Sequence, residues 1–303
     1  MGYSNWSSDA YSTLSDTYAH KSADAIFAKI ASSNMSPMNI TIRESRDSDI
    51  HPTSLAVIIN LDVTGSMGRI PESIVKNELG TLMNTIIDSG VKHPQILFNA
   101  IGDHYTDRYP LQVGQFESGT SELDKWLTSI NIEGGGGGQN KESYLLAWLV
   151  GGRHTSIDCF EKRGEKGFLF TIGDEKCWNS ISSDRLMNLM GYSQSENITD
   201  KQLLEEAQRL YNVYHIHVNE TQYKDDPDVI GYWKDMLGER LIILNNHDAI
   251  CATIATIIAL QHGCDMSDVV GRFSSHTAGM VTTALATYSV GVISKLNDGV
   301  VTL

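Results

Sequence analysis

The feature that most constrains this chain is an apolar run that ends in a carboxylate. Residues 55–61 read Leu-Ala-Val-Ile-Ile-Asn-Leu, and Asp62-Val-Thr64-Gly-Ser66 follows directly. Such a run predicts a buried strand of the kind found in a parallel sheet that is covered on both faces. One carboxylate and two hydroxyls therefore stand where this strand ends. Hard oxygen donors of this type suit Mg²⁺ or Mn²⁺ and offer nothing soft enough to favour zinc.

The same residues have a plainer interpretation, because an Asp turn followed by Ser and Thr that cap the next helix is common at strand ends and binds no metal. Two later segments nevertheless repeat the pattern. Residues 96–101 precede Asp103, and residues 167–173 precede Asp174. Ligands of open parallel sheets bind beyond the carboxyl ends of the strands, where strand order reverses. We therefore expect Asp62, Asp103 and Asp174 to lie at such strand ends.

The motif loops resemble a known family. Residues 62–67, Asp-Val-Thr-Gly-Ser-Met, resemble the metal-ion-dependent adhesion site of von Willebrand factor A domains. The Asp103-His104 pair and the glycine-rich residues 134–143 resemble the branch of that family associated with alpha-kinases and bacterial relatives. The resemblance spans roughly residues 50–262. It implies an α/β, Rossmann-like fold with a mostly parallel central sheet and helices on both faces.

The resemblance also implies a metal site that holds Mg²⁺ or Mn²⁺. Its ligand positions in this chain are Asp62, Thr64, Ser66, Gln139 and Asp174. Gln139 stands where the branch has Asp, and Lys141 stands where it has Pro. A neutral amide oxygen or a water would therefore replace a carboxylate in the second loop. Trp178 or a neighbour occupies the position at which relatives often carry His, so no property of that His is transferred.

The chain divides into a central body and two flanks. The predicted parts are an N-terminal extension at 1–50, the von Willebrand factor A domain at 51–263 and a C-terminal extension at 264–303. In the first extension we expect a helix near residues 22–30 and a strand at residues 38–43. The small-residue segment 276–284 favours either a packed helix or a partner-binding tail, and the sequence leaves both open.

Within the body, apolar spacing and end signals predict alternating helices and strands. Predicted helices are 71–90, 142–150, 199–212, opened by a Thr199–Gln202 capping box, and 248–262, which has one apolar face. Predicted strands are 213–218 and 241–244. The segment 175–197 is too long for an ordinary connection and is expected to rim the metal. Its predicted helix 184–190 offers Leu186, Met187, Leu189 and Met190 either as partner contacts or as buried residues.

Composition excludes several classes of function. A formal net charge of −14 argues against nucleic acid, whose phosphates most of the surface would repel. No apolar run reaches the roughly 18 residues of a membrane span, and the N-terminus has no signal-peptide pattern, so we expect a cytoplasmic protein. The four cysteines show no paired spacing and are expected to be reduced.

Other constellations carry less weight. The glycine loop lacks the Gly-Lys-Ser/Thr of a phosphate loop, and no Gly-x-Ser-x-Gly or His-Glu-x-x-His motif occurs in the sequence. His215 and His217 share one face of a strand, a spacing that binds metal when a third ligand is present. No third ligand is readable, which favours a structural pair.

The leading hypothesis is therefore a non-enzymatic protein-binding module in which a partner's carboxylate completes the shell of the metal. The resemblance implies adhesion, assembly of a multi-subunit complex, or service as an adaptor for AAA+ ATPases. A structural or assembly subunit with a vestigial metal site is an alternative, which Gln139 in place of Asp favours slightly. The third possibility is a metal-dependent hydrolase, with Asp103 or His104 as the base.

Overall fold

Helices and strands alternate over most of the chain, in a computed structural model that describes residues 4–65, 67–134, 140–192 and 194–289. The strands are β1 (Arg43–Ser45), β2 (Ser54–Asp62), β3 (His93–Ile101), β4 (Leu111–Val113), β5 (Lys141–Glu142), β6 (Thr155–Ile157), β7 (Gly167–Gly173), β8 (Lys176–Cys177), β9 (Ser180–Ile181), β10 (Ile198–Thr199), β11 (Tyr211–Val218) and β12 (Leu241–Leu244). The helices are α1 (Ser8–Tyr18), α2 (Ala23–Ile26), α3 (Arg69–Ser73), α4 (Leu79–Asp88), α5 (Thr120–Thr128), α6 (Tyr144–Arg153), α7 (Asp158–Arg163), α8 (Ser183–Met190), α9 (Asp200–Leu210), α10 (Pro227–Leu237), α11 (Ile250–Gln261), α12 (Met266–Val270) and α13 (Ser275–Ala284). A π-helical turn, Ile74–Glu78, joins α3 to α4.

Six strands form the central sheet in the order β12-β11-β7-β2-β3-β4. All neighbours are parallel except β3 and β4, which are antiparallel. The chain starts at β2, winds outward through β3 and β4, and then returns to build the other half from β7. This is the strand order of doubly wound Rossmann folds, which reverses between the first and fourth strands. The predicted Rossmann-like fold class, that of von Willebrand factor A domains, is confirmed.

Helices cover both faces of the sheet. On one face α6 packs against α9, and on the other α4 packs against α11. Every residue of β2 is buried, as expected for a central strand that is covered on both faces. The helix predicted at 71–90 is confirmed, with its start at Arg69 and its end at Asp88.

The helix predicted at 248–262 is present as α11, but the prediction of a single apolar face is wrong. All residues from Ile250 to Leu260 are buried. The reason lies in the C-terminal flank, because α12 and α13 pack against α11, which α4 also contacts. Of the two alternatives for residues 276–284, the structure has the packed helix, in which Val281 is buried.

Two predictions for the N-terminal flank are wrong in their extent. The strand expected at residues 38–43 begins only at Arg43, where β1 pairs in parallel with β6. The helix expected near residues 22–30 ends at Ile26 as α2. The helix ends there because the Ala28 amide donates to the carbonyls of Thr128 and Ile130, and a continued helix would use that amide for a bond within the helix. The predicted boundaries at residues 50 and 263 stay predictions.

Two local predictions near the sheet have different outcomes. The capping box is confirmed, since Thr199 and Gln202 exchange side-chain hydrogen bonds at the start of α9. The helix predicted from Glu142 begins instead at Tyr144, because Glu142 lies in β5, which pairs with β8.

Among the helices that the structure describes, none combines the length and the hydropathy needed to cross a bilayer.

Candidate functional site

Asp62 and Asp174 lie at the carboxyl ends of β2 and β7, the adjacent strands between which strand order reverses. Both side chains are buried. Gly173, the last residue of β7, leaves room for Asp62 and Tyr144, because a Cβ atom there would lie 2.9 Å from Asp62 Oδ2 and 1.8 Å from the Tyr144 hydroxyl. The structure therefore brings together the first and third predicted loops at the place that the topology rule indicates.

Asp62 organises the first loop through three hydrogen bonds. Its Oδ1 accepts from the Thr64 amide at 2.9 Å and from Thr64 Oγ1 at 2.6 Å. Its Oδ2 accepts from the Tyr144 hydroxyl at 2.7 Å. A carboxylate offers roughly four acceptor positions, so these bonds leave Asp62 little capacity for direct metal ligation. The Thr64 proton is committed to Asp62, which leaves the hydroxyl lone pairs available to a cation.

Ser66 and Gln139, the other two predicted ligands, lie outside the residues that the structure describes. Two further carboxylates that were not among the predicted ligands belong to the site. Glu142 and Glu175 are buried and, with Thr64, line one open cavity of about 800 Å³. Glu175 directly follows Asp174, and Glu142 lies near the end of the glycine-rich segment 134–143. These positions in the sequence could have indicated the two carboxylates. They do not reveal that β5 pairs with β8, which only the structure shows.

The carboxylates of this site carry strongly raised pKa values. Burial, reinforced by Asp174, raises the pKa of Asp62 to about 7. Burial, with Asp62 and then Glu175 nearby, raises the pKa of Glu142 to about 11. Burial, with Asp62 and Asp174 nearby, raises the pKa of Glu175 to about 7. Within the described residues, Asp62, Glu142 and Glu175 form no ion pair with a basic side chain, so no ion pair offsets the cost of ionising them in a buried position.

The chemistry of the donors fits a hard divalent cation, since it consists of carboxylate and hydroxyl oxygens. The geometry limits which residues could act as ligands. In the described part of the chain, no three His, Cys, Asp or Glu side chains are arranged to hold a metal ion. Hydroxyls such as Thr64 Oγ1, together with water, would therefore have to supply much of the coordination shell. Arg69, Glu220 and His247 also line the cavity, whose size suits a partner side chain.

The Asp103-His104 pair has a structural environment. Asp103 accepts hydrogen bonds from Trp178 Nε1 and the Tyr105 amide, both at 2.9 Å. His104 Nδ1 lies 2.7 Å from Ser143 Oγ, and burial lowers the pKa of His104 to about 4. The imidazole is therefore neutral at physiological pH. These bonds tie the loop after β3 to the residues that follow β5 and β8.

The His215–His217 pair also agrees with the structural interpretation. Both rings are buried, and His215 stacks on Trp233 with ring centroids 3.5 Å apart. Its Nδ1 is hydrogen-bonded to Thr171 Oγ1 at 2.9 Å. Burial lowers the pKa of both imidazoles. No metal-holding group that includes them occurs among the described residues.

The predicted rim helix is present as α8, but most of its apolar side chains face inward. Leu186 and Met190 are buried and Leu189 is partly buried, so the hypothesis that they contact a partner is wrong for Leu186 and Met190. Only Met187 of these four is exposed. The helix nevertheless lies beside the strand-end loops, because Arg185 Nη1 donates to the His104 carbonyl at 2.6 Å.

The sheet order and the strand-end loops define an α/β protein with a von Willebrand factor A-like fold. No protein-family model and no curated protein matches the sequence. Among solved structures, the pilus adhesin SpaC of Lactobacillus rhamnosus GG in its open conformation is similar over 73% of this chain and 31% of its own, with 8% identity and a TM-score of 0.47. A von Willebrand factor type A protein from Catenulispora acidiphila is similar over 68% of this chain and 42% of its own, with 12% identity and a TM-score of 0.36. This chain thus spans less than half the length of either structure.

Proposed function

We propose that this chain is a protein-binding module that uses Mg²⁺ or Mn²⁺ at the ends of β2 and β7 to engage a carboxylate of a protein partner. One observation carries the proposal. Asp62, Glu142 and Glu175 are buried without a basic partner in the described residues, and their pKa values are raised. Strongly perturbed carboxylates at the edge of an open cavity are typical of functional sites.

The donor set explains how a cation would remain attractive to an anionic partner. Thr64, with Ser66 from the sequence motif, supplies neutral oxygens, and Asp62 positions Thr64 by accepting a hydrogen bond from its hydroxyl. Neutral ligands leave a divalent ion incompletely neutralised. Burial and the neighbouring carboxylates raise the pKa of Glu142 to about 11, which favours its neutral form in the cation-free site. A partner carboxylate would then fill an open position on the ion.

The surroundings of Asp103 and His104 support binding over catalysis. Both side chains already serve in loop-fixing contacts, Asp103 with Trp178 and His104 with Ser143. A general base needs instead to reach a proton of its substrate.

The second candidate is an assembly subunit with a vestigial metal site. It is favoured by the absence of a three-residue metal group among the described residues and by Gln139 in place of Asp.

Titration calorimetry with MnCl₂ at neutral pH tests the proposal and separates these candidates. We expect one site in the wild type and at least a roughly tenfold loss of affinity in Asp62→Ala, about 1.4 kcal/mol. Asp158→Asn is the matched control, because Asp158 is a buried carboxylate outside this site that is paired with Arg46 and Lys162. Equal binding by wild type and Asp62→Ala would show that the site is wrong. No binding by the wild type would favour the vestigial site.

A partner pulldown from the native host, with and without EDTA, addresses the second half of the proposal. A partner that binds through the ion should be captured by the wild type and lost with EDTA or in Asp62→Ala. Its identity would distinguish adhesion, complex assembly and an AAA+ ATPase adaptor. Capture that is insensitive to both changes would contradict a cation-dependent contact.

A further inference from the structure

Four side chains beside the candidate site form an aromatic and cationic surface, here called the Tyr105 surface, in which Tyr105 is exposed and the other three are partly exposed. It consists of Tyr105, Lys141, Trp178 and Arg185. The ring centroids of Tyr105 and Trp178 are 4.5 Å apart. The Arg185 guanidinium lies 4.1 Å from the centroid of the Tyr105 ring, and Lys141 Nζ lies 4.9 Å from that of Trp178. Tyr105 is 46% exposed, which is unusual for a large aromatic residue held between two neighbours.

Hydrogen bonds to the backbone and to buried groups hold this surface in place. Arg185 Nη1 donates to the His104 carbonyl, Trp178 Nε1 donates to Asp103 Oδ1 at 2.9 Å, and the Trp178 amide donates to the Glu142 carbonyl at 3.1 Å. The side chains have therefore lost much of their rotational freedom before any partner arrives. A preordered surface spends less conformational entropy on binding.

The charge of the surface is opposite to that of the whole chain. The formal net charge is −14, yet this surface carries two cations. Over the described part of the chain, neither Lys141 nor Arg185 forms an ion pair with an acidic side chain; their hydrogen bonds go to Asn179 and to the His104 carbonyl. Arg185 therefore keeps guanidinium N–H groups for an external acceptor. Carboxylates are the acceptors that match a planar guanidinium.

We propose that the Tyr105 surface binds an acidic segment of a protein partner, with a partner carboxylate on Arg185 and apolar partner atoms on the Tyr105 and Trp178 rings. Tyr, Trp and Arg are the residues that dominate binding energy at protein interfaces. The inference rests on the proposed function, because Trp178 contacts the backbone of Glu142 and the same partner would reach the ion. Nucleic acid is disfavoured, since its regularly spaced phosphates would also meet the neighbouring carboxylates.

Fluorescence anisotropy at low salt tests the proposal with a labelled peptide that alternates Glu and Leu. A peptide that alternates Lys and Leu and a labelled oligothymidine serve as the charge-reversed and nucleic-acid probes. We expect the wild type to bind the Glu peptide alone, and Arg185→Gln or Tyr105→Ser to weaken that binding about tenfold. Arg240→Gln is the matched control, because Arg240, directly before the edge strand β12, also lies over a tyrosine, 5.6 Å from the centroid of the Tyr214 ring.

Arg185→Lys and circular dichroism separate recognition from folding. The Lys variant keeps the charge and loses the planar stack, so we expect affinity between those of the wild type and Arg185→Gln, with unchanged spectra. Absence of binding by the wild type, equal binding by Arg185→Gln, or oligothymidine binding that depends on Arg185 would each overturn the inference.

A chelator arm distinguishes this inference from the proposed function. The titrations are repeated with Mn²⁺ and with EDTA. Loss of peptide binding with EDTA but not in Arg185→Gln would overturn the inference and leave the cation-dependent function standing. Loss in Arg185→Gln but not with EDTA would support the Tyr105 surface and count against the cation.

Discussion

Two groups of carboxylates, at opposite ends of the sheet, differ in what surrounds them. At the amino end of β2, Asp47 and Asp158 are paired with Arg163 and Arg46 at 2.7 and 2.9 Å. Near the carboxyl ends of β2 and β7, Asp62, Glu142 and Glu175 form no ion pair among the described residues. We call Asp47 and Asp158, with the acidic and basic residues around Arg46, the paired cluster, and Asp62, Glu142 and Glu175 the unpaired cluster.

The pKa values record this difference. Burial by itself would raise the pKa of Asp158, but hydrogen bonds from Lys162, the Asp47 amide and Arg46 lower it overall. The pKa of Asp62 is instead raised to about 7, because burial and Asp174 act together. A lowered pKa means that the ionised group stabilises the fold, and a raised one means that ionisation costs stability. Ionisation of Asp158 therefore stabilises the fold, whereas ionisation of Asp62 in the unpaired cluster costs stability, a cost that a bound cation would offset.

The largest expected effect is stabilisation of the unpaired cluster by Mn²⁺. At a free concentration about a thousandfold above Kd, binding contributes roughly 4 kcal/mol. For a chain of this size that corresponds to a rise in Tm of roughly 6 °C. Thermal unfolding at neutral pH should show the rise in wild type and in Asp158→Asn, and little of it in Asp62→Asn. A rise in all three proteins would break the comparison.

Loss of the central cation of the paired cluster should have the next largest effect. Arg46 bonds Glu44, Asp158 and Glu161, so Arg46→Met leaves these acids with one basic neighbour fewer. Breaking a buried pair costs about 3–5 kcal/mol, and because Arg46 is 32% exposed we expect about 2 kcal/mol. Urea unfolding measures the change. Arg209→Met, at an exposed position, is the control and should change stability by less than about 0.5 kcal/mol.

The pH dependence of stability should run in opposite directions for the two clusters. The folded pKa of Asp62 is raised from 3.8 to about 7, so in the metal-free protein the free energy of unfolding falls as pH rises through that interval. Asp62→Asn removes this fall and should gain on the order of 1 kcal/mol over wild type at neutral pH. The folded pKa of Asp158 is lowered, so its contribution is present at neutral pH and is lost as pH falls below 3.8.

Urea titrations at several pH values, all in EDTA, check both signs. Relative to wild type, Asp62→Asn should gain stability as pH rises, and Asp158→Asn should be less stable at neutral pH but converge on wild type in acid. Parallel curves for the two variants would show that the clusters do not differ electrostatically.

The smallest expected effect belongs to Lys162, at the outer edge of the paired cluster. Its side chain is 57% exposed, although it contacts Asp158 at 2.7 Å. Ion pairs of exposed side chains contribute little to stability, so Lys162→Ala should lower the urea midpoint far less than Arg46→Met does. A loss of stability equal to that of Arg46→Met would indicate that Lys162 contributes as much to the cluster as Arg46 does.

The sequence predicted the fold class because its signals are local. The apolar run before Asp62 is a buried parallel strand, and the capping box at Thr199 opens α9 as expected. The buried runs before Asp62 and Asp174 predicted their positions at strand ends, and the family resemblance implied that the two residues share one site. The one-faced prediction for α11 was wrong because the residues that cover its second face come from another part of the chain.

The sequence by itself determined where carboxylates follow buried strands, because hydrophobic runs and turn residues are read from neighbouring positions. Only the tertiary structure decided that Glu142 and Glu175 share the cavity with Thr64, that Trp178 bonds Asp103, and that basic residues surround one acidic cluster and not the other. These facts depend on pairings between distant segments, such as β5 with β8. Burial and the sign of the nearest charge set each pKa, and both are properties of the packed chain.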